Sequence, residues 1–138
     1  MIKFITILSF FLIVLCGFTW LLLNIYLTIK LRKKKKRYIQ EIVNSAPDKY
    51  KRGAEAFIGS NPSWVFASSA GHLWCSYLVL RFIWKIPRSE INQWHEEIKK
   101  IFSSDYFLYQ VLNFLINIGF LCLAWIFIFM GMKELELY

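Results

Sequence analysis

Besides carboxylates, three side chains in this 138-residue chain are suited to hold a metal: His72, Cys75 and His95. His72 and Cys75 stand three apart, close enough to share one face of a helix. A zinc site takes about four ligands in recognisable spacings, and those spacings are missing. His95-Glu96-Glu97 begins like the zinc helix of a metalloprotease, but Lys99 stands where the second histidine belongs. A haem held between membrane helices needs a histidine within the long apolar runs, and neither run has one. Ser, Asp and His occur without a nucleophile elbow or a triad order, and no glycine-rich phosphate cradle is present. The long apolar runs hold no acidic residue, so proton-coupled transport and intramembrane proteolysis lack their usual acids. The pattern is that of a non-enzyme without a cofactor.

Amides remain as the other polar chemistry. Gln110, Asn113 and Asn117 fall at i, i+3 and i+7 in the last apolar run, and Asn24 lies in the first. At matching depth in antiparallel helices, Asn24 is expected to hydrogen-bond Gln110 or Asn113, with Gly17 and Gly119 permitting close contact. Such bonds act as interhelical glue, worth ~0.6 kcal/mol each. A small-residue face is expected at Ala67, Gly71 and Cys75, four apart. Ser69, His72 and Ser76 suggest a polar stripe on the same helix.

The elements that must position these groups follow from hydropathy. Residues 4–29 and 106–132 carry no charge, and ~20 apolar residues suffice to cross the hydrocarbon of a bilayer. Residues 4–29 are too long for a signal-peptide core of ~7–15 residues. The chain is 57% hydrophobic and 19% aromatic, more apolar surface than so small a soluble fold could hide. The three cysteines, Cys16, Cys75 and Cys122, show no framework spacing.

Directly after the first run stand Lys30, Arg32, Lys33, Lys34, Lys35, Lys36 and Arg37. This basic run stops translocation and fixes orientation. It also attracts anionic lipid headgroups, at about 1 kcal/mol per residue near the surface. Pinned against lipid, it is a poor nucleic-acid site.

Between the runs, Ile39, Ile42 and Val43 carry a helix that Pro47 ends. An amphipathic piece spans about 48–58, and Gly59-Ser60-Asn61-Pro62 reads as a turn. Ser63 is placed to cap a helix over 64–84, either a third span or an interfacial helix anchored by Trp64, Trp74 and Trp84. Pro87 and Ser89 open a further helix reaching Phe102, with Ile91, Trp94, Ile98, Ile101 and Phe102 on one face and Glu96 paired to Lys100 on the other. The apolar side chains Trp64, Phe66, Trp74, Trp84, Trp94 and Ile98 are expected on lipid or on the spans. Ser103-Ser104-Asp105 is a polar break and an N-cap for the last run.

Charge decides between two and three spans. Residues 30–105 hold fifteen of the seventeen Lys and Arg, against seven of the nine acidic residues. Cytoplasmic loops carry the Lys/Arg excess. Two spans keep the whole middle segment cytoplasmic and both termini outside. Three spans put Lys85, Arg88, Lys99 and Lys100 outside and draw His72 into lipid, an expensive burial. Two are favoured.

Pro47 with Tyr50, then Phe57, Pro62, the aromatic stretch 74–82 and the charged helix ending Ile98-Lys99-Lys100-Ile101-Phe102 make a layout. It resembles universal stress protein B, a small bacterial inner-membrane family with a span at each end and a basic cytoplasmic middle. The chain departs from that family in its more apolar 64–84 segment and its Lys-dense run. The resemblance implies an association with stress or stationary phase and carries over no catalytic residue.

The sequence therefore predicts an all-α integral membrane protein with spans at 4–29 and 106–132 and a membrane-associated helical segment at 30–105. Its expected role is that of an accessory protein acting through the bilayer, a membrane protein partner or self-association. A structural subunit of a larger membrane complex is the alternative. A pore-forming lysis protein is disfavoured, because no span has a polar face along its whole length.

Overall fold

The structure, a computed structural model, describes residues 2–60 and 70–134. Among these residues every regular element is helical. Two long helices, α1 (Ile2–Leu31) and α6 (Tyr106–Glu134), are both long and apolar enough to cross a membrane. They run antiparallel: Lys30 meets Asp105 at one end, while Ile13 and Leu123 line one groove further along. At 1.5 Å per residue each extends ~45 Å. Their contact is a narrow seam. On α1 the buried positions are Ser9, Cys16, Asn24, Leu27 and Leu31; on α6 they are Tyr109, Leu112, Asn113 and Cys122. The other faces expose large apolar side chains such as Phe11, Phe18, Phe114 and Phe127.

The remaining helices gather at the Lys30–Asp105 end. They are α2 (Lys35–Asn44), α3 (Lys51–Ser60), α4 (Trp74–Leu78, continued by a π turn over Val79–Ile83) and α5 (Arg88–Phe102). Proline sets two boundaries. α2 stops short of Pro47, and α5 begins immediately after Pro87, which occupies the N-cap position that Ser89 was expected to take. The core joins Ile42, Ala54, Ile58, Ile91, Trp94 and Ile98 to Leu27, Leu31 and Tyr109 of the long helices. Trp94 and Ile98 thus pack between helices and do not meet lipid. The Trp94 indole donates to the carbonyl of Ile42 at 3.0 Å, satisfying an oxygen that the end of α2 leaves without a helical partner. Tyr50 packs edge-on to Trp84 and Trp94, and its ring lies so close over Gly53 that a methyl group there would fall 2.7 Å from Cε2.

Four expectations for the middle segment change. The stretch 64–84 is not one helix. Residues 61–69, including Ser63, Trp64, Phe66, Ala67 and Ser69, lie outside the described residues, and the helix that follows covers only Trp74–Ile83. Gly71 sits in a turn at φ +80°, so it forms no helical stripe with Cys75. The expected Glu96–Lys100 pair is replaced by two i, i+3 pairs, Lys100 with Glu97 at 2.6 Å and Lys99 with Glu96 at 3.9 Å. Gly59 and Ser60, read as a turn, complete α3.

Candidate functional site: a polar groove against the second long helix

Asp105 is the buried carboxylate of the structure's junction. Its Oδ1 lies 2.6 Å from Lys30 Nζ, and the two residues are 75 positions apart. The pair fastens the last turn of α1 to the short 3-10 turn, Ser103–Asp105, that leads into α6. Lys30 is therefore not a free headgroup ligand. The chain then turns at residues 32–34, leaving Arg32, Lys33, Lys34 and Lys36 exposed. Arg37 pairs with Glu41 at 3.2 Å, and Lys35 is half-buried.

Further along α6, Asn117 holds the backbone of the turn before α4 with both ends of its amide. Its Oδ1 accepts from the Trp74 N–H at 3.2 Å, and its Nδ2 donates to the His72 carbonyl at 3.1 Å. Trp74 opens α4, so its N–H has no helical acceptor and needs one from outside. Gly71 makes the turn achievable, because its positive φ disfavours any side chain. A Cβ there would also stand 3.2 Å from Leu80 Cδ1 and 3.5 Å from His95 Nε2.

Behind the turn the two histidines meet. The rings of His72 and His95 have centroids 4.0 Å apart, and the Tyr109 ring stands edge-on to His72 at 5.4 Å. His95 Nε2 donates to the Ala70 carbonyl at 2.5 Å, so in the neutral ring Nδ1 carries no proton. Burial pushes the His95 pKa down, opposed by the bond to Ala70 and by the charge of Glu96. His72, Gln110, Asn113 and Asn117, with Val111 and Phe114, line an open groove of about 400 Å³. No formally charged side chain lines it. Among the described residues no three potential ligands come together to hold a metal.

The amide stripe of α6 is thus brought to one groove, but its partners differ from those expected. Asn24 is buried with its Nδ2 making no hydrogen bond. Asn113 donates to the Tyr109 carbonyl of its own helix at 2.8 Å, and its Oδ1 is unpartnered. The Asn24 glue to Gln110 or Asn113 is not formed. Gly17 and Gly119 do not mediate close approach either. A methyl group on either would meet open space, because the long helices part there around an apolar groove of about 330 Å³. The Asn117 clamp, the His72–His95 contact and the Lys30–Asp105 pair were not expected. The signal that could have found the turn is Gly71, a glycine inside an apolar run, which was read as part of a helical small-residue face.

Together the fold and this site define an all-helical protein with two helices capable of spanning a membrane and a helical cap at one end. Comparison with models of known families, with curated proteins and with solved structures finds no match to the chain.

Proposed function

We propose that the protein is a non-enzymatic membrane accessory protein that crosses the bilayer with α1 and α6 and acts through the bilayer or a bound membrane protein. The observation that carries this reading is the Lys30–Asp105 pair. It gathers the cap, the exposed basic turn and the ends of both apolar helices on one side. That side faces the cytoplasm, where the Lys/Arg excess belongs, and both termini lie outside. Arg32, Lys33, Lys34 and Lys36 engage anionic headgroups. The layout's resemblance to universal stress protein B supports a stress-linked role in a bacterial inner membrane.

A second reading, a subunit of a larger complex, draws on the apolar groove between α1 and α6, where Gly17 and Gly119 leave open space. Reporter fusions at the C-terminus test the topology: activity confined to the cytoplasmic side sinks it. Extraction in mild detergent then separates the roles, since a stoichiometric copurifying partner selects the subunit. Growth arrest with dye leakage on expression selects a pore instead.

A further inference from the structure

We infer that the segment from Gly71 to Trp84 is re-entrant: it dips into the hydrocarbon of the leaflet on the Lys30–Asp105 side and returns, presenting one face to acyl chains. The inference rests on the reading that α1 and α6 cross a bilayer.

Depth carries it. The Trp74 N–H and the His72 carbonyl are both bonded to the Asn117 side chain. If a ~30 Å hydrocarbon core is centred on α6, Asn117 lies ~10 Å below its edge; if the edge falls at Tyr106, ~16 Å. Helical side chains tilt toward the helix N-terminus, which brings the turn back by a few Å and still leaves it within the hydrocarbon. Irregular backbone at such depth must be satisfied by protein, and the two ends of the Asn117 amide do this.

Surface character agrees. Trp74, Leu78, Val79, Phe82 and Ile83 are all exposed, the last two at 69% and 72%. A contiguous apolar face of this kind marks a contact with something other than water. The segment is held against α6 at Asn117, and α6 itself exposes Phe107, Phe114 and Leu121, so acyl chains are the occupant. Seven residues beyond Trp74 the helix has risen at most ~10 Å, and there Arg81 appears, followed by Lys85 and Arg88. The long Arg81 side chain snorkels from that level toward the phosphates, with Lys85 and Arg88 beyond it as the chain leaves the lipid. Arg81 also donates to the Ile86 carbonyl at 3.2 Å, closing the end of the π turn.

Depth-dependent quenching in reconstituted vesicles tests this. In full-length protein with Cys16, Cys75 and Cys122 replaced by Ala, a fluorophore is placed by Trp74→Cys, by Leu121→Cys on the exposed face of α6, or by Glu96→Cys on α5. Lipids brominated near the headgroup or near the chain end are the quenchers. The expected result is loss of fluorescence to chain bromines at Trp74→Cys and Leu121→Cys, and none at Glu96→Cys. Adding Asn117→Leu should shift the Trp74→Cys probe toward the shallow quencher without moving the Leu121→Cys probe. Quenching at Leu121→Cys with a Trp74→Cys probe as shallow as Glu96→Cys overturns the re-entrant segment and leaves the spans standing. No quenching at Leu121→Cys overturns the spans and the inference with them.

Discussion

Lys30 Nζ and Asp105 Oδ1 meet at 2.6 Å, with the carboxylate buried and the ammonium still partly open to solvent. This asymmetry makes the two halves of the pair unequal. Removing the lysine leaves a buried carboxylate with no counter-charge, which is the costly way to break a pair. Removing the carboxylate leaves a lysine that swings into water. Lys30→Met should therefore lower the melting temperature in detergent more than Asp105→Asn does. In the double variant part of the Lys30→Met loss should be recovered. Equal losses from the two single changes would remove the asymmetry, and no loss from either would show that the pair is not the fastening between α1 and α6.

Gly71 and Asn117 act on one turn from opposite sides. Gly71→Ala imposes a side chain at φ +80° and presses a methyl toward Leu80 Cδ1. The expected cost is about 1–3 kcal/mol. Asn117→Ala frees the Trp74 N–H and the His72 carbonyl together, while Asn117→Gln keeps the chemistry and changes the reach. Thermal melts in detergent should rank Gly71→Ala and Asn117→Ala well below the parent. Parent-like melts in both would remove the turn from the list of fixed structure.

These two positions also show where one-dimensional reading stops. Residues 4–29 and 106–132 were legible because length and hydropathy are local properties, and α1 and α6 cover both runs. The helix ending at Phe102 was legible from its 3.6-residue period and from Pro87. The stretch 64–84 misled because 21 residues with a single formal charge fit a span or an interfacial helix by composition. What distinguishes them is a φ angle at Gly71 and a bond to a side chain 43 residues further on. Asn117 was placed in a helix-packing stripe with no partner named for it, since a polar stripe fixes a face and not the group that faces it. The partnership of Lys30 with Asp105 spans 75 residues and leaves no local trace.

Trp94 joins two helices through one proton. Its indole N–H reaches the Ile42 carbonyl at 3.0 Å, and Ser45 Oγ donates to the same oxygen at 3.0 Å. Because the carbonyl keeps one donor, Trp94→Phe should cost only about 1 kcal/mol. Trp94→Ala also empties a fully buried site and should cost about 3–5 kcal/mol. Trp94→Phe with Ser45→Ala leaves the carbonyl without either donor and should lose more than the sum of the single changes. Additive losses in denaturant titration would mean that water replaces the missing donors.

His95 links the cap to pH. Burial disfavours its charged form, outweighing the bond to Ala70 and the charge of Glu96, so its folded pKa lies below the ordinary 6.5. The unfolded chain takes up a proton near pH 6.5 that the folded protein resists. The stabilisation is therefore fully present above that pH, and it is lost progressively as pH falls toward the folded value. Melting temperature should hold steady down to about pH 7 and decline toward about pH 5.5, above the range where carboxylates titrate. His95→Gln keeps a donor for the Ala70 carbonyl but cannot titrate, so the decline should flatten while the turn stays in place. Protonation also sets a cation 4.0 Å from the His72 ring, and solvent-exchange rates of residues 70–74 should rise over the same interval. A slope unchanged in His95→Gln assigns the pH dependence to another group.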